Sequence, residues 1–227
     1  MSDRPYHHGD LAEALVAAGL AAAAVGGPAS IGVRELAKEV GVSPTAVYRH
    51  FPSLAHLVAA VSQRARERLA ERLEHEVELI AVDDPVEAAW ERLFATGRAY
   101  VRFAIDEPNL HATAFVAGGM RPAHPDSPDA WSVLVRVLND LERLGEVAPD
   151  MRASAPLIAW SAVHGVAGVL TLPSPADPVD PQEAVESVMR AVRRALGGRE
   201  GPPRSEREGP SARSATPSVG ADERSSE

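Results

Sequence analysis

The sequence predicts an all-α protein in which a head of three short helices is joined by a long helix to a larger helical body. Apolar residues recur at helical spacing through most of the 227 residues. No run of alternating β-branched residues is long enough for a sheet, and breaks rich in glycine and proline separate the periodic segments. We therefore expect a head at residues 1–52, a body at residues 53–198 and a disordered tail at residues 199–227.

The composition narrows the class of protein. The chain contains no cysteine, which excludes disulfides and thiol chemistry. No apolar run approaches the ~20 residues that span a bilayer, and the N-terminus lacks the pattern of a signal peptide, so we expect a cytoplasmic protein without a membrane partner. The formal net charge of −9 argues against nucleic-acid binding unless charge is placed locally.

The head is divided into helices by its capping residues and glycines. The first helix should span residues 11–25, with an apolar stripe that ends at Val25. Ser30 has the character of an N-cap for the second helix, and Gly41 of its left-handed end. Ser43 should cap a third helix only about two turns long.

The body consists of longer helices. Ser53 should cap a fourth helix that extends to about Ile80, and the charged residues from Arg64 to Arg72, Arg66 among them, are expected on its solvated faces. Beyond Arg199 the chain is almost entirely Ser, Pro, Gly and charged residues, which bury too little surface to offset ordering entropy. The remaining helices are expected at about residues 83–105, 108–117, 129–144, 152–172 and 182–196.

The third helix is too short to bury itself and carries polar side chains. Val47 and Phe51 should anchor it to the head. A short helix joined by a glycine-containing turn to the helix before it is a helix-turn-helix, whose second helix enters the major groove of DNA. Any two short packed helices with a glycine between them can give the same pattern, so a purely structural role stays open. The candidate DNA-binding residues are Arg34, Ser43, Pro44, Thr45, Tyr48, Arg49 and His50.

These side chains suit contact with a duplex. The hydroxyls of Thr45 and Tyr48 can bond phosphate or base edges, and His50 can donate to phosphate. Arg49 supplies charge, and Arg34 has the two-pronged donor geometry that matches a guanine edge.

A family resemblance starts from this segment. The run from Val33 to Val58, VRELAKEVGVSPTAVYRHFPSLAHLV, resembles the DNA-binding head of the tetracycline-repressor (TetR) family. The matches are RELA at 34–37, GVS at 41–43 and YRHFPS at 48–53, and with the first helix the resemblance covers roughly residues 8–60. It implies a DNA-binding head linked to the body by the fourth helix.

The chain departs from the family pattern at two positions. The family usually has a lysine where this chain has Leu54, and often a hydroxyl residue where it has Ala46. The head is also close to neutral, because its few basic residues are matched by acidic ones. We therefore expect operator affinity to depend on Arg4 and the third helix, with few phosphate contacts and a shallow salt dependence.

The body carries a second resemblance. The segment from Trp160 to His164-Gly165 resembles the Trp…His-Gly (WHG-type) signature of one TetR C-terminal subfamily, and the stretch YHHGDL at 6–11 recurs with that class. The resemblance implies a homodimer formed through the helices at 152–172 and 182–196, and a pocket for a small-molecule effector.

The sparse aromatic and histidine side chains of the body are the candidate ligand-binding residues, because effector pockets in helical proteins are lined by such groups. Aromatic residues at helical spacing are more often core, however, and Trp160 with His164 has the spacing of a helix-packing pair. The candidates are Trp90, Phe94, Tyr100, Phe103, His111, Phe115, Trp131, Trp160 and His164.

No catalytic constellation or cofactor motif is present in the sequence, so we expect neither an enzyme nor a cofactor. His7, His8 and Asp10 allow a metal reading, but adjacent histidines near a terminus are more often solvated or in contact with DNA.

The sequence thus favours a regulator of transcription. It would be a repressor that binds a palindromic operator as a homodimer and is released when a small molecule tilts the fourth helix. Two alternatives remain: a small helical enzyme or carrier that uses the head only for packing, and an architectural DNA binder without a ligand.

Overall fold

The computed structural model describes residues 8–117, 129–172 and 179–197. Every regular element in these ranges is helical, which confirms the predicted all-α class. A single 3₁₀ turn, Pro28–Ser30, lies between the first two α-helices. The expected tail at 199–227, the loop at 121–128, Gly118 and Gly119, Arg4, His7 and the side chains of His8 and Asp10 lie outside what is described. The helices are α1 His8–Gly26, α2 Val33–Val40, α3 Pro44–His50, α4 Leu54–Glu78, α5 Pro85–Asp106, α6 Pro108–Val116, α7 Ala130–Arg143, α8 Ala155–Thr171 and α9 Pro181–Leu196.

Side-chain caps determine where several helices begin. Ser43 Oγ accepts a hydrogen bond from the Ala46 N–H at 3.2 Å, and Ser53 caps α4 in the same way. Ser30 does not cap α2, contrary to the prediction. Its hydroxyl donates to the Gly27 carbonyl at 2.7 Å and closes the 3₁₀ turn, so that α2 begins only at Val33.

The apolar stripe of α1 differs from the predicted one. Val25 is 85% exposed, whereas Gly19 and Ala23 are buried. A Cβ added at Gly19 would lie 2.6 Å from Val61 Cγ2, so α1 and α4 touch at a residue without a side chain. The prediction passed over this contact because a glycine contributes nothing to an apolar pattern.

Helix α4 has one buried arginine among its charged residues. Arg66, expected on a solvated face, is only 6% exposed. Its Nη1 donates to the Ala114 carbonyl at 2.7 Å and its Nη2 to Gln63 Oε1 at 2.8 Å. The periodicity of α4 could not distinguish Arg66 from its exposed neighbours because it does not reveal where α6 crosses.

Helix α5 forms the centre of the body. Trp90, Tyr100 and Phe103 on this helix are fully buried. Helix α9 approaches α5 closely at Gly97, where a Cβ would lie 2.7 Å from Met189 Sδ. Within the described ranges no helix is both long enough and apolar enough to cross a membrane.

Candidate DNA-binding surface and aromatic cluster of the body

The turn between α2 and α3 is held by its backbone. Gly41 has φ 78°, in the left-handed region, and nothing lies within 4 Å of the place where its Cβ would be. The N–H of Val42 donates to the Ala37 carbonyl at 2.8 Å, which closes the C-terminus of α2. The chain therefore reverses over a few residues, and α3 follows directly.

Helix α3 is anchored on one side only. Val47 is completely buried, and the half-buried ring of Phe51 packs against the core. Tyr48 is 50% exposed, and Thr45 and Arg49 are also exposed. The helix thus presents a polar face to solvent while its apolar face fixes its orientation.

The other candidate DNA-binding residues of the head differ in their exposure to solvent. Arg34 on α2 is exposed, whereas His50 is half-buried. Ser43 and Pro44 are exposed at the start of α3, but the Ser43 hydroxyl is already used as the cap of that helix. Leu54, which replaces the lysine usual in the family, is an exposed apolar side chain at the first position of α4.

Three helices of the body meet at one hydroxyl group. The Tyr100 hydroxyl on α5 lies 2.6 Å from His164 Nδ1 on α8. The same oxygen lies 3.2 Å from His111 Nε2 on α6. A phenol has a single proton, so it donates to one imidazole and accepts an N–H from the other. We refer to Tyr100, His111 and His164 as the hydroxyl–imidazole triad.

Aromatic rings surround the triad. Phe115 packs edge to face against both His111 and His164, with ring centroids 5.2 Å apart in each case. Trp160 lies nearly parallel to His164, at 16° and 6.3 Å, and Trp131 contacts Trp160 at 5.8 Å. Six of the nine candidate ligand-binding residues therefore form one group, which we call the aromatic cluster: the triad with Phe115, Trp131 and Trp160.

The remaining three candidates lie apart from these contacts. The Trp90 indole N–H donates to Glu146 Oε2 at 2.9 Å, and the Arg193 guanidinium lies 4.9 Å from the Trp90 ring centre. Phe94 and Phe103 are buried in the hydrophobic core of the body.

Burial sets the ionisation of the triad. Desolvation, followed by the neighbouring His164, lowers the pKa of His111 to about 4. Desolvation also raises the pKa of Tyr100 above its ordinary value. At neutral pH the buried part of the triad is therefore uncharged, since burial disfavours positive charge on one group and negative charge on the other.

The interior beside the triad is closed. A cavity of about 10 Å³ lies against Tyr100 and Trp160, with Thr96 and leucine, valine, alanine and methionine side chains on its other sides. A single water needs about 10–15 Å³. A small molecule can enter this part of the body only if the surrounding side chains move.

Polar links through α6 join this region to the rest of the molecule, and sequence reasoning missed them. Ser62 Oγ donates to the Thr113 carbonyl at 2.6 Å, next to the bond from Arg66 to Ala114. Asn109 Nδ2 donates to the carbonyls of Ala24 and Val25, which lie in the last turn of α1. No local pattern could have revealed them, because each joins a side chain to a backbone carbonyl distant in sequence.

Comparison with known protein families agrees with this architecture. Residues 15–61 match the family described as bacterial regulatory proteins, tetR family. Residues 93–192 match the tetracyclin repressor-like C-terminal domain. The two matches lie in order along the chain and together take in well over half of it. The chain belongs to the tetR family. Whether its body is of the WHG type stays a prediction.

Solved structures share the fold of this tetR-family chain. A protein of unknown function from Rhodococcus sp. RHA1 is 27% identical, with a TM-score of 0.65 over 86% of this chain and 100% of that one. A tetR-family regulatory protein from Rhodococcus RHA1 is 21% identical, with a TM-score of 0.56 over 84% and 98% of the two chains. RolR in complex with resorcinol is 18% identical, with a TM-score of 0.60 over 84% and 89%. No curated protein matches the chain.

The outer face of α8 exposes several apolar side chains. Leu157, Val169 and Leu172, at or just beyond the two ends of α8, are all more than half exposed. Between them, Gly165 and Gly168 have nothing within 4 Å of the positions where a Cβ would be. The face is therefore apolar at its ends and flat in its middle.

Proposed function

We propose that this tetR-family regulator is a repressor that binds a palindromic operator as a homodimer and leaves it when a small-molecule effector binds the body. The observation that carries the proposal is the exposed polar face of α3, held in place by Val47 and the Ser43 cap. A head used only for packing, as in the enzyme or carrier alternative, would have no reason to leave Thr45, Tyr48 and Arg49 in solvent.

On DNA, α3 would occupy the major groove, where the N-terminal residues of a recognition helix meet base edges. Thr45 and Tyr48 would supply hydroxyls, Arg49 would supply charge, and Arg34 would reach a base edge from α2. With Leu54 in place of a basic residue, few phosphates are neutralised, which supports a shallow salt dependence.

A second copy of the chain would cover the outer faces of α8 and α9. Burying the exposed apolar side chains of Leu157, Val169 and Leu172 in such an interface would stabilise the dimer. Gly165 and Gly168, which have open space at the Cβ position, would let the two α8 helices approach closely. Twofold pairing would place two α3 helices on successive major grooves, ~34–36 Å apart, which is the spacing that a palindrome demands.

The aromatic cluster is the proposed effector site, and α6 is the route from it to the head. Helix α6 contributes His111 and Phe115 to the cluster. The carbonyl of Ala114, between them, accepts from Arg66 on α4, and Asn109 binds the end of α1. A ligand that displaces α6 would therefore move the helices that carry the head. It shifts the equilibrium only by its differential affinity for the two arrangements.

Selection of bound DNA from a random pool tests the proposal directly. We expect an enriched palindrome whose half-sites lie one helical turn apart. Loss of operator binding is expected for Tyr48→Ala and for Arg34→Ala, with the dimer and the melting temperature nearly unchanged. Arg72→Ala makes a matched control, because it removes the same charge from an exposed site on α4 in the body. Normal operator binding by either head variant would refute the assignment of the head.

A further inference from the structure

The hydroxyl–imidazole triad restricts which chemical group can join it. One imidazole nitrogen accepts the Tyr100 proton and the other donates an N–H to the Tyr100 oxygen. Each link of this chain therefore has a donor at one end and an acceptor at the other. A group inserted into a link has to accept on one side and donate on the other, whichever direction the chain takes.

Only some functional groups meet this requirement. A hydroxyl accepts and donates, so it can be inserted without leaving a buried polar atom unpaired. A carboxylate, an ether or a ketone only accepts, and an ammonium group only donates. Each of those would face a like partner on one side, and a buried polar group left unpaired weakens binding.

The surrounding rings restrict the shape. Trp160 and His164 are nearly parallel, and Phe115 meets both imidazoles of the triad edge to face. The adjoining cavity is only about 10 Å³, so an entering molecule has to separate side chains that now touch. A flat ring needs the least separation and replaces ring contacts with ring contacts.

We propose that the effector is a phenol: an uncharged aromatic ring whose hydroxyl is inserted between Tyr100 and one imidazole of the triad. This inference rests on the proposed function, since it names the ligand of the same site. The point of insertion is the link to His111, because its 3.2 Å separation is the longer of the two and His164 lies on the face of α8 that the second copy would cover.

The ionisation of the protein's own groups supports an uncharged ligand. Burial lowers the pKa of His111 and raises the pKa of Tyr100. The same desolvation would penalise a ligand charge of either sign. The ring faces that could attract a cation are also partly covered, because Tyr100 meets Trp160 edge to face with centroids 5.4 Å apart.

Four probes that differ only in one substituent test the class of ligand on the full chain without DNA: 4-ethylphenol, ethylbenzene, 4-ethylbenzoate and 4-ethylbenzylamine. Binding is measured at pH 7 by quenching of tryptophan fluorescence and by the shift in melting temperature. We expect 4-ethylphenol to bind about tenfold more tightly than each of the others, because tenfold corresponds to about 1.4 kcal/mol, which one satisfied buried hydrogen bond can supply. Equal or tighter binding of the benzoate or the amine would overturn the proposal.

Variants locate the hydroxyl. His111→Phe keeps a ring at the site but removes Nε2, so the preference for 4-ethylphenol over ethylbenzene should fall to near one. His75→Phe is the matched control, because His75 is exposed on α4 and should leave the preference unchanged. Tyr100→Phe, which removes only the hydroxyl, gives a second reading if His111→Phe does not fold. An unchanged preference in a folded His111 or Tyr100 variant contradicts the insertion.

The DNA selection and the probe measurements together distinguish the repressor proposal from the phenol proposal. An enriched palindrome together with a failure of 4-ethylphenol to bind would support the repressor proposal and refute the phenol proposal. The expected probe ranking without any selected DNA would refute the repressor and leave the phenol only as a ligand of the body. Both hold only if 4-ethylphenol also lowers operator affinity in the natural chain and not in the His111 variant.

Discussion

Replacing Arg66 by methionine should lower the free energy of unfolding by about 3 kcal/mol. The Arg66 side chain is 6% exposed, and an arginine stays charged in a protein. Asp129, at the start of α7, is only 1% exposed. Arg66 Nε and Asp129 Oδ2 are both buried without a hydrogen-bond partner, and the two opposite charges attract each other through space.

The magnitude follows from what methionine leaves behind. The variant loses the hydrogen bonds from Arg66 to the Ala114 carbonyl and to Gln63 Oε1. Hydrogen bonds from a charged donor contribute about 1.5–3 kcal/mol each. It also leaves the buried Asp129 carboxylate without the attraction of a nearby positive charge. Removal of the desolvated guanidinium offsets part of this loss, which brings the net to about 3 kcal/mol.

Urea denaturation at one fixed protein concentration measures the difference, with Arg68→Met as the matched control. Arg68 lies two residues further along α4 and pairs with Glu107 at 2.9 Å, but its side chain is 49% exposed. Such a pair contributes less than about 1 kcal/mol. Adding Asp129→Asn to Arg66→Met should restore at least about 1 kcal/mol, because the amide keeps the oxygen that caps α7 and removes the unpaired charge.

Equal costs for the Arg66 and Arg68 variants would refute this reasoning, since they would place both side chains in solvent. A double variant whose cost is the sum of the two single costs would show that Arg66 and Asp129 do not interact.

Three further outcomes follow from individual residues. Gly41→Ala and Gly145→Ala should each lower the free energy of unfolding by about 1 kcal/mol in urea denaturation, because both glycines have φ 78° with open space at the Cβ position. Only Gly41→Ala should weaken operator binding. Weaker operator binding by Gly145→Ala than by Gly41→Ala would refute the role of the α2–α3 turn. Since burial lowers the pKa of His111 from 6.5 to about 4, the unfolded chain binds the extra proton first. The stability of the natural chain should therefore fall by about 2–3 kcal/mol as the pH drops from 6.5 to 4, relative to His111→Phe; parallel pH curves would contradict this. Asn109→Ala should cost about 1 kcal/mol and speed amide exchange in the last turn of α1; unchanged exchange would show that the side chain does not hold that turn.

Local chemistry explains why much of the fold could be predicted from the sequence. Ser43 and Ser53 each cap the helix that their position predicted, because an N-cap depends only on a residue and the three that follow it. Ser30 shows the limit of this rule. Its hydroxyl found a nearer acceptor in the turn that precedes α2.

Contacts between helices explain what could not be predicted. The exposure of Val25 and the burial of Arg66 both depend on where one helix crosses another, which a single-helix pattern does not contain. The aromatic cluster was foreseeable as a list, but Trp90 carried the same local signal as Trp160. Only the packing of α5, α6 and α8 separates the ring that binds Glu146 from the rings that surround Tyr100.

The bond from Asn109 to the end of α1 also affects how the polypeptide matures and how it can be recombined. The head emerges from the ribosome first, yet the partner for its exposed Ala24 and Val25 carbonyls is synthesised much later. A nascent or excised head therefore relies on water at that end. In chimaeric regulators that fuse this head to the effector-binding body of another protein, the new body should supply a side chain that replaces Asn109 at the end of α1.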